Sequence, residues 1–441
     1  MTYLVSSFFL LICFSSYSTE ILRVDHKTLM RKSSVSKEQE DSQKISLQFQ
    51  ENNLLKMEEK SLMNLSARKT FSWRGYSWPY LFGAASFRFL HPKFSSPSSS
   101  YSSNRNKFFK LTTEELINSG KIKDLSPAEK YDVLLGDKEL TLSRAQWKLA
   151  DTEVRGGSIP YWVGLCHGWS AASGSVSMPS KSVRAKSSWK DGLWVEFTPT
   201  DLSVLATLLW SHGQYLVDII GDRCEGRKVK GPCGEDLEVA DFHMALTNII
   251  GLKKKFLVMD YSRNYVVNNM PILKYQYQYL DLKNKSKPVR AKLSDALSLK
   301  KQLARRSWRR GRHSKVKYVV GIKTIIYAHQ EKVPGTVLTS NFMEKNFIYD
   351  LELDSNFKII GGRWHTSNIP DFVWYPSPGE TATSLNDRRI KGLYRADEAP
   401  SSEFTQYASG FTTENGIKVK GSSEFGQPLK PLIDQLLKLS R

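Results

Sequence analysis

Hydrophobic periodicity changes once along this chain, near Phe242, and that change constrains the fold class more than any other feature. Upstream of it the pattern is helical. TTEELINSGK begins as a capped helix, with Thr112 or Thr113 ahead of Glu115 and with Leu116 and Ile117 as its apolar face. SPAEKYDVLLGD places Ser126 as N-cap, Pro127 at the first helical position and Glu129 at the third. DLSVLATLLWSHGQYLVDII, residues 201–220, carries a strong helical apolar pattern. Downstream the pattern becomes strand-like at FLVMDYS (256–262), KYQYQYLDL (274–282), KVKYVVGIKTIIYAHQ (315–330), NFIYDLELD (346–354) and FKIIGGRW (357–364). An amphipathic helix closes the chain, with Leu432, Ile433, Leu436 and Leu437 on one side. Helices first and antiparallel strands later predict an α+β fold.

The N-terminus predicts export. An apolar run from Phe8 to Phe14 precedes Ser15, Ser16 and Ser18, the order of a secretory signal peptide over residues 1–18. The run is too short to span a bilayer, and no later stretch is suited to a transmembrane anchor. Ile12 sits where a lipoprotein signal needs a small residue, so lipidation is rejected. Residues 19–70 are polar and charge-mixed, either a weakly structured leader or pro-segment or a disordered spacer. Residues 71–441 form the body, interrupted by a Ser-rich loop at 94–106.

Export makes the cysteines informative. There are four: Cys13, Cys166, Cys224 and Cys233. Cys13 leaves with the signal peptide. Cys224 and Cys233 share a Gly-rich loop, and in an oxidising compartment a disulfide between them is expected. Cys166 is left over. It follows Gly164 in SIPYWVGLCHGWSAASGS (158–175) and opens a run of small residues with helical potential. A thiol at a helix N-terminus is acidified by the dipole and by free backbone N–H groups. The same groups, including the N–H of Cys166, can form an oxyanion hole. A buried structural cysteine would fit the local pattern almost as well. A nucleophilic thiol needs a base and an orienting group. His243 in EVADFHMALTNIIG and Asp260 after FLVM fit those roles if a hairpin brings them together, although pattern alone favours a core histidine at 243. His167, next to the thiol, would point away from it on a helix.

The motif series extends this reading. WVGLCHGWSAA resembles the active-site segment of the elicitor-type transglutaminases, secreted enzymes of oomycete plant pathogens and some bacteria. Trp73, Gly75, Tyr76, Trp78 and Pro79 resemble the family's W-x-G-x-x-W-P entrance. SPAEKYD, FHMALTN, VVNNMP (266–271), YDLELD, KIIGGRW and PDFVWYP follow in family order. The resemblance covers roughly residues 70–440. It implies an expanded papain-like, transglutaminase-like fold, with the helix of the nucleophilic cysteine packed on an antiparallel sheet. It further implies Cys166 as nucleophile, His243 as base, Asp260 as orienting acid, and protein substrates with exposed Gln and Lys. His365, after GGRW, is the alternative base. Two departures stand out: Asn268 and Met270 where the family tends to an aromatic residue and Gln, and Arg363 where an acid is expected.

Tyr161, Trp162 and Trp169 crowd the motif, either as core or as an apolar substrate channel that excludes water. Such a channel matters because an acyl-enzyme that meets water before an amine makes a deamidase. A papain-like cysteine protease or a glutamine deamidase is therefore the close rival. A non-catalytic, secreted surface-binding protein of the elicitor type is the rival of another class. The net charge is +20, and KQLARRSWRRGRHSKVK (301–317) concentrates it. That run reads as a solvated loop or a patch for anionic cell-surface polymers; no nucleic-acid module is visible. No zinc or EF-hand spacing appears, so no cofactor is expected; calcium dependence is not readable from the chain.

Overall fold

The computed structural model describes residues 49–67, 73–221, 237–261, 266–283, 289–329, 342–367, 369–377 and 379–441. The signal peptide and the Cys224–Cys233 pair fall outside the described residues. The helices are α1 (Leu54–Glu59), α2 (Tyr101–Lys110), α3 (Thr113–Asn118), α4 (Pro127–Leu135), α5 (Thr141–Thr152), α6 (Cys166–Ser175), α7 (Pro199–His212), α8 (Val239–Ala245), α9 (Leu293–Ala296), α10 (Arg306–Arg309), α11 (Ser402–Ser409) and α12 (Lys430–Leu439). A π-helical turn, Leu246–Leu252, extends α8. The strands needed here are β1 (Asn64–Ser66), β2 (Val183–Lys186), β3 (Trp194–Phe197), β4 (Val217–Gly221), β5 (Leu257–Asp260), β6 (Asn269–Asp281), β7 (Val289–Ala291), β8 (Ser298–Leu299), β9 (Tyr318–His329), β10 (Phe342–Leu353), β11 (Ile359–Trp364) and β12 (Phe372–Pro376).

Capping chemistry starts the helices where the sequence places them. Thr112 with Glu115, Ser126 with Glu129 and Thr198 with Asp201 each form a reciprocal capping box. Two of these acids also serve the core. Glu129 takes the buried Arg88 guanidinium at 2.9 and 2.6 Å, and Asp201 takes the buried Lys130 ammonium at 2.7 Å.

Three expectations need correction. Helix α7 stops at His212, well short of residue 220, and Val217–Gly221 joins the sheet instead. Gly213 sits too close to the Leu209 carbonyl to carry a side chain there, 2.2 Å from an ideal Cβ. The Ser-rich stretch is a loop only in its first half. Ser100 caps α2, whose Tyr101, Asn104 and Phe108 recur on one face and are buried. Residues 49–67 are folded into the body: Leu54 and Met57 are fully buried, β1 pairs with β6, and Glu51 and Asn248 exchange backbone–side-chain hydrogen bonds of 2.8 Å. The leader reading fails for that portion because its apolar residues have a core to enter.

The main sheet is antiparallel, in the order β11-β10-β9-β6-β5-β12-β4. Its two faces serve different cores, as the strict alternation of strand side chains requires. One face presents Val217, Val258, Phe372 and Trp374 to the helical core that holds α4 to α7. The other presents Leu257, Met259, Ile272, Tyr275, Tyr277 and Tyr349 to α1 and α8.

Candidate active site

Cys166 is the first residue of α6 and is buried, with a reduced thiol. The preceding loop is pinned from outside. The Leu165 N–H donates to Ser77 O at 2.5 Å, and Tyr80 N–H to Val163 O at 3.0 Å. Gly164 lies so close to this segment that a Cβ would stand 2.5 Å from Ser77 O. The entrance motif therefore has a structural role: it clamps the loop that delivers the thiol. From the far side, Gly168 lets α6 press on α7, since a Cβ there would fall 2.4 Å from Thr207 O. The first-turn N–H groups of α6 have no intrahelical acceptor, so the thiol sits at the positive end of the helix.

Asn269 is a polar partner of the sulfur. Its Nδ2 lies 3.3 Å from Cys166 Sγ. The carboxamide is held in that orientation by Trp374, whose Nε1–H donates to Asn269 Oδ1 at 2.9 Å. The Ser170 hydroxyl bonds the Asn269 carbonyl, tying α6 to the start of β6. Asp260 is the cross-strand partner of Asn269, fully buried, and its Oδ1 accepts the Asn268 N–H at 3.3 Å. Asp260 and Asn269 share a face with Trp374 and Phe372, the face on which α6 packs. Tyr80 belongs to the same neighbourhood. Burial pushes its phenol above the ordinary value, and negative charge at Glu153 and Cys166 pushes it further. It thus stays a neutral hydrogen-bond donor. Burial also raises the Glu153 carboxyl, against a weaker pull from Arg155.

The profile of the transglutaminase elicitor family matches residues 41–390. The chain belongs to this family. No curated protein matches it in sequence. Among solved structures, the GP42 transglutaminase from Phytophthora sojae is similar at a TM-score of 0.50 and 18% identity, over 89% of this chain and 98% of that one. That likeness speaks for the fold, a mixed helix-and-sheet arrangement with an antiparallel sheet.

The elicitor-family chain does not assemble the expected triad among its described residues. His243 lies on the other face of the sheet. Its Nδ1 is 2.8 Å from the Tyr349 hydroxyl, and its ring is 4.8 Å from that of Tyr277. Tyr277 is roughly 25 Å along β6 from Asn269. Burial lowers the His243 pKa to about 3, so it is a neutral core histidine. The base assignment is therefore withdrawn, and so is the orienting role of Asp260 toward it. His365 is no replacement. It bonds Asp350 at 2.7 Å, just past the end of β11, and that strand lies three strands from β6, about 14 Å away. His167 points toward α7, 3.3 Å from Ser211 O, and burial depresses it to about 4.

The aromatic residues divide. Trp169 is fully buried, its indole donating to Trp73 O at 3.4 Å, so it belongs to the core and cannot line a channel. Tyr161 is 72% exposed and Trp162 half-buried on the loop before the thiol, where both can meet a substrate. Asn269 was within reach of the sequence: it is the Asn of the V-x-N-x-P stretch in VVNNMP. A search restricted to imidazoles and carboxylates passes over it.

Proposed function

We propose that this chain is an exported thiol acyltransferase that acts on glutamine side chains, a protein-glutamine γ-glutamyltransferase with Cys166 as nucleophile. The observation that carries the reading is the Cys166 sulfur at the head of α6, 3.3 Å from an Asn269 carboxamide that Trp374 holds in place. A thiol with an oriented partner and an unused helix terminus beside it suits acyl transfer. It also supports a papain-like reading of the core.

In this reading the thiolate attacks the carboxamide carbon and a C–S bond forms. The oxyanion develops toward the first-turn N–H groups of α6 and the Asn269 amide. Asp260 takes the proton of the Cys166 thiol; collapse then breaks the C–N bond, and the amine leaves as ammonia with that proton. A primary amine then attacks the thioester, the thiolate leaves, and Asp260 accepts the proton of the incoming amine. Tyr80 donates as a neutral phenol throughout. Tyr161 and Trp162 contact the substrate chain.

A second reading has its own observation. The two histidines expected as base, His243 and His365, are engaged at Tyr349 and Asp350 instead, which favours a non-catalytic, elicitor-like recognition protein that retains the fold. One assay separates them: incorporation of a dansyl-labelled primary amine into a Gln-rich protein, with ammonia release measured without amine. Incorporation by the wild type and none by Cys166→Ala supports the transferase. Ammonia release without incorporation supports a deamidase. Neither product, from a protein whose Cys166 titrates as a thiol, refutes enzymatic function.

A further inference from the structure

The basic run, with the short helix before it, builds a groove at the opposite end of β6 from the thiol. Leu299, Lys300, Lys301, Arg309 and Lys317 line an open cavity of about 570 Å³. No ion pair among the described residues engages any of its four cations, whereas Arg312, a few residues away, is fully committed. Arg312 is buried and grips Asp350 at 2.6 and 2.8 Å and Glu352 at 2.8 Å, and it also bonds Trp308 O. The chain thus spends one arginine of the run as a clamp and leaves its neighbours in solvent. The clamp matters because it holds the groove's walls on the sheet. On one side β8 pairs with the start of β9, and Gln302 caps Leu299 N at 2.7 Å; on the other stands α10. Four cations gathered on one open surface raise the local potential that attracts a polyanion.

We infer that this groove is a binding site for an acidic polysaccharide, one that carries carboxylate or sulfate groups along its chain. Charge complementarity selects a polyanion. Among the described residues the groove offers no stacking platform for single-stranded nucleic acid: Trp308 is buried, and half-buried Tyr318 already stacks on Phe357 at 4.9 Å. The groove lies roughly 35 Å along β6 from Asn269, so a bound polymer leaves the thiol accessible. Its role is to anchor the protein on an anionic matrix, independent of what the thiol does.

The test compares the full chain with K300Q/K301Q/R309Q/K317Q and with K107Q/K110Q/K121Q/K123Q, which removes equal charge from exposed lysines elsewhere. Affinities are measured for polygalacturonate, heparin and a thymidine oligonucleotide, between low and physiological salt. The expected result is a loss of about tenfold or more for the groove variant on at least one polysaccharide, and less than about twofold for the control variant. Polygalacturonate and heparin report whether carboxylate or sulfate is preferred. Equal losses in both variants would show non-specific net charge and overturn the proposal, as would tighter binding of the oligonucleotide than of either polysaccharide. Amine incorporation, if present, stays unchanged in the groove variant; thermal melts confirm that it folds.

Discussion

Replacing Gly168 by Ala tests whether the packing of α6 on α7 sets the position of the thiol. An ideal Cβ at Gly168 stands 1.8 Å from Ser211 Oγ, 2.4 Å from Thr207 O and 2.7 Å from Ser211 N. The Ser211 hydroxyl can rotate away. The Thr207 carbonyl is helix backbone and cannot, so relief to van der Waals contact requires α6 to move by about 1 Å. Overpacking of that kind costs about 1–3 kcal/mol. Alanine's better helix propensity returns about 1 kcal/mol. For a chain of this size a net loss of ~1 kcal/mol lowers Tm by only about 1 °C. Activity should suffer more than stability, because Cys166 lies half a turn away and its 3.3 Å contact with Asn269 does not survive such a shift. A misplacement of about 1 Å is worth on the order of a hundredfold in rate. Scanning fluorimetry and the dansyl-amine assay read the two effects. Adding Ser211→Ala should rescue little, since Thr207 O remains. If Gly168→Ala keeps both its Tm and its full rate, the close packing does not position the thiol and the argument fails.

Four further outcomes are expected. Asn269→Ala and Trp374→Phe should both reduce amine incorporation, the second less, because it keeps the carboxamide and removes the hydrogen bond of about 1 kcal/mol that orients it; wild-type activity in both would remove Asn269 from the mechanism. His243→Gln should leave the rate within about twofold, whereas a catalytic base would cost at least about a hundredfold. His167, His212 and His243 are depressed by burial to about 4, 3 and 3, below an unfolded value near 6.5. Their stabilisation is therefore complete above pH 6.5 and is lost as the pH falls toward 3, so Tm should drop across that window and His243→Gln should flatten the drop; a pH-independent Tm between 6.5 and 4 would contradict it. Arg312→Met should destabilise by about 3–5 kcal/mol, because it strands Asp350 and Glu352 in the core. Burial alone would raise the Asp350 carboxyl, but hydrogen bonds from Arg312 and His365 outweigh it and hold it low, so the variant's loss should shrink toward acid pH as Asp350 protonates.

Much of the scaffold was legible because it rests on local signals. Ser126, Pro127 and Glu129 start α4 through contacts a few residues apart, and the amphipathic tail becomes α12 with Leu432, Ile433, Leu436 and Leu437 buried. The period-two run at 274–282 becomes the body of β6. The start of α6 at Cys166 was local too, as was the motif order that marks the family. The site's partners were not local. His243 and Asp260 sit on adjoining elements and look like a pair in sequence, yet they serve opposite faces of one sheet. Which face a strand residue takes depends on register, and a shift of one residue reverses it. That register is set by pairing with β9, β5 and β12, and on β6 it includes an irregularity between Ile272 and Lys274. The chain's own pattern therefore determined that Cys166 would head a helix and that strands would follow. Only the tertiary pairing decided that Asn269 would meet the sulfur and His243 the tyrosines, because side chains far apart in sequence meet only where the sheet brings their faces together.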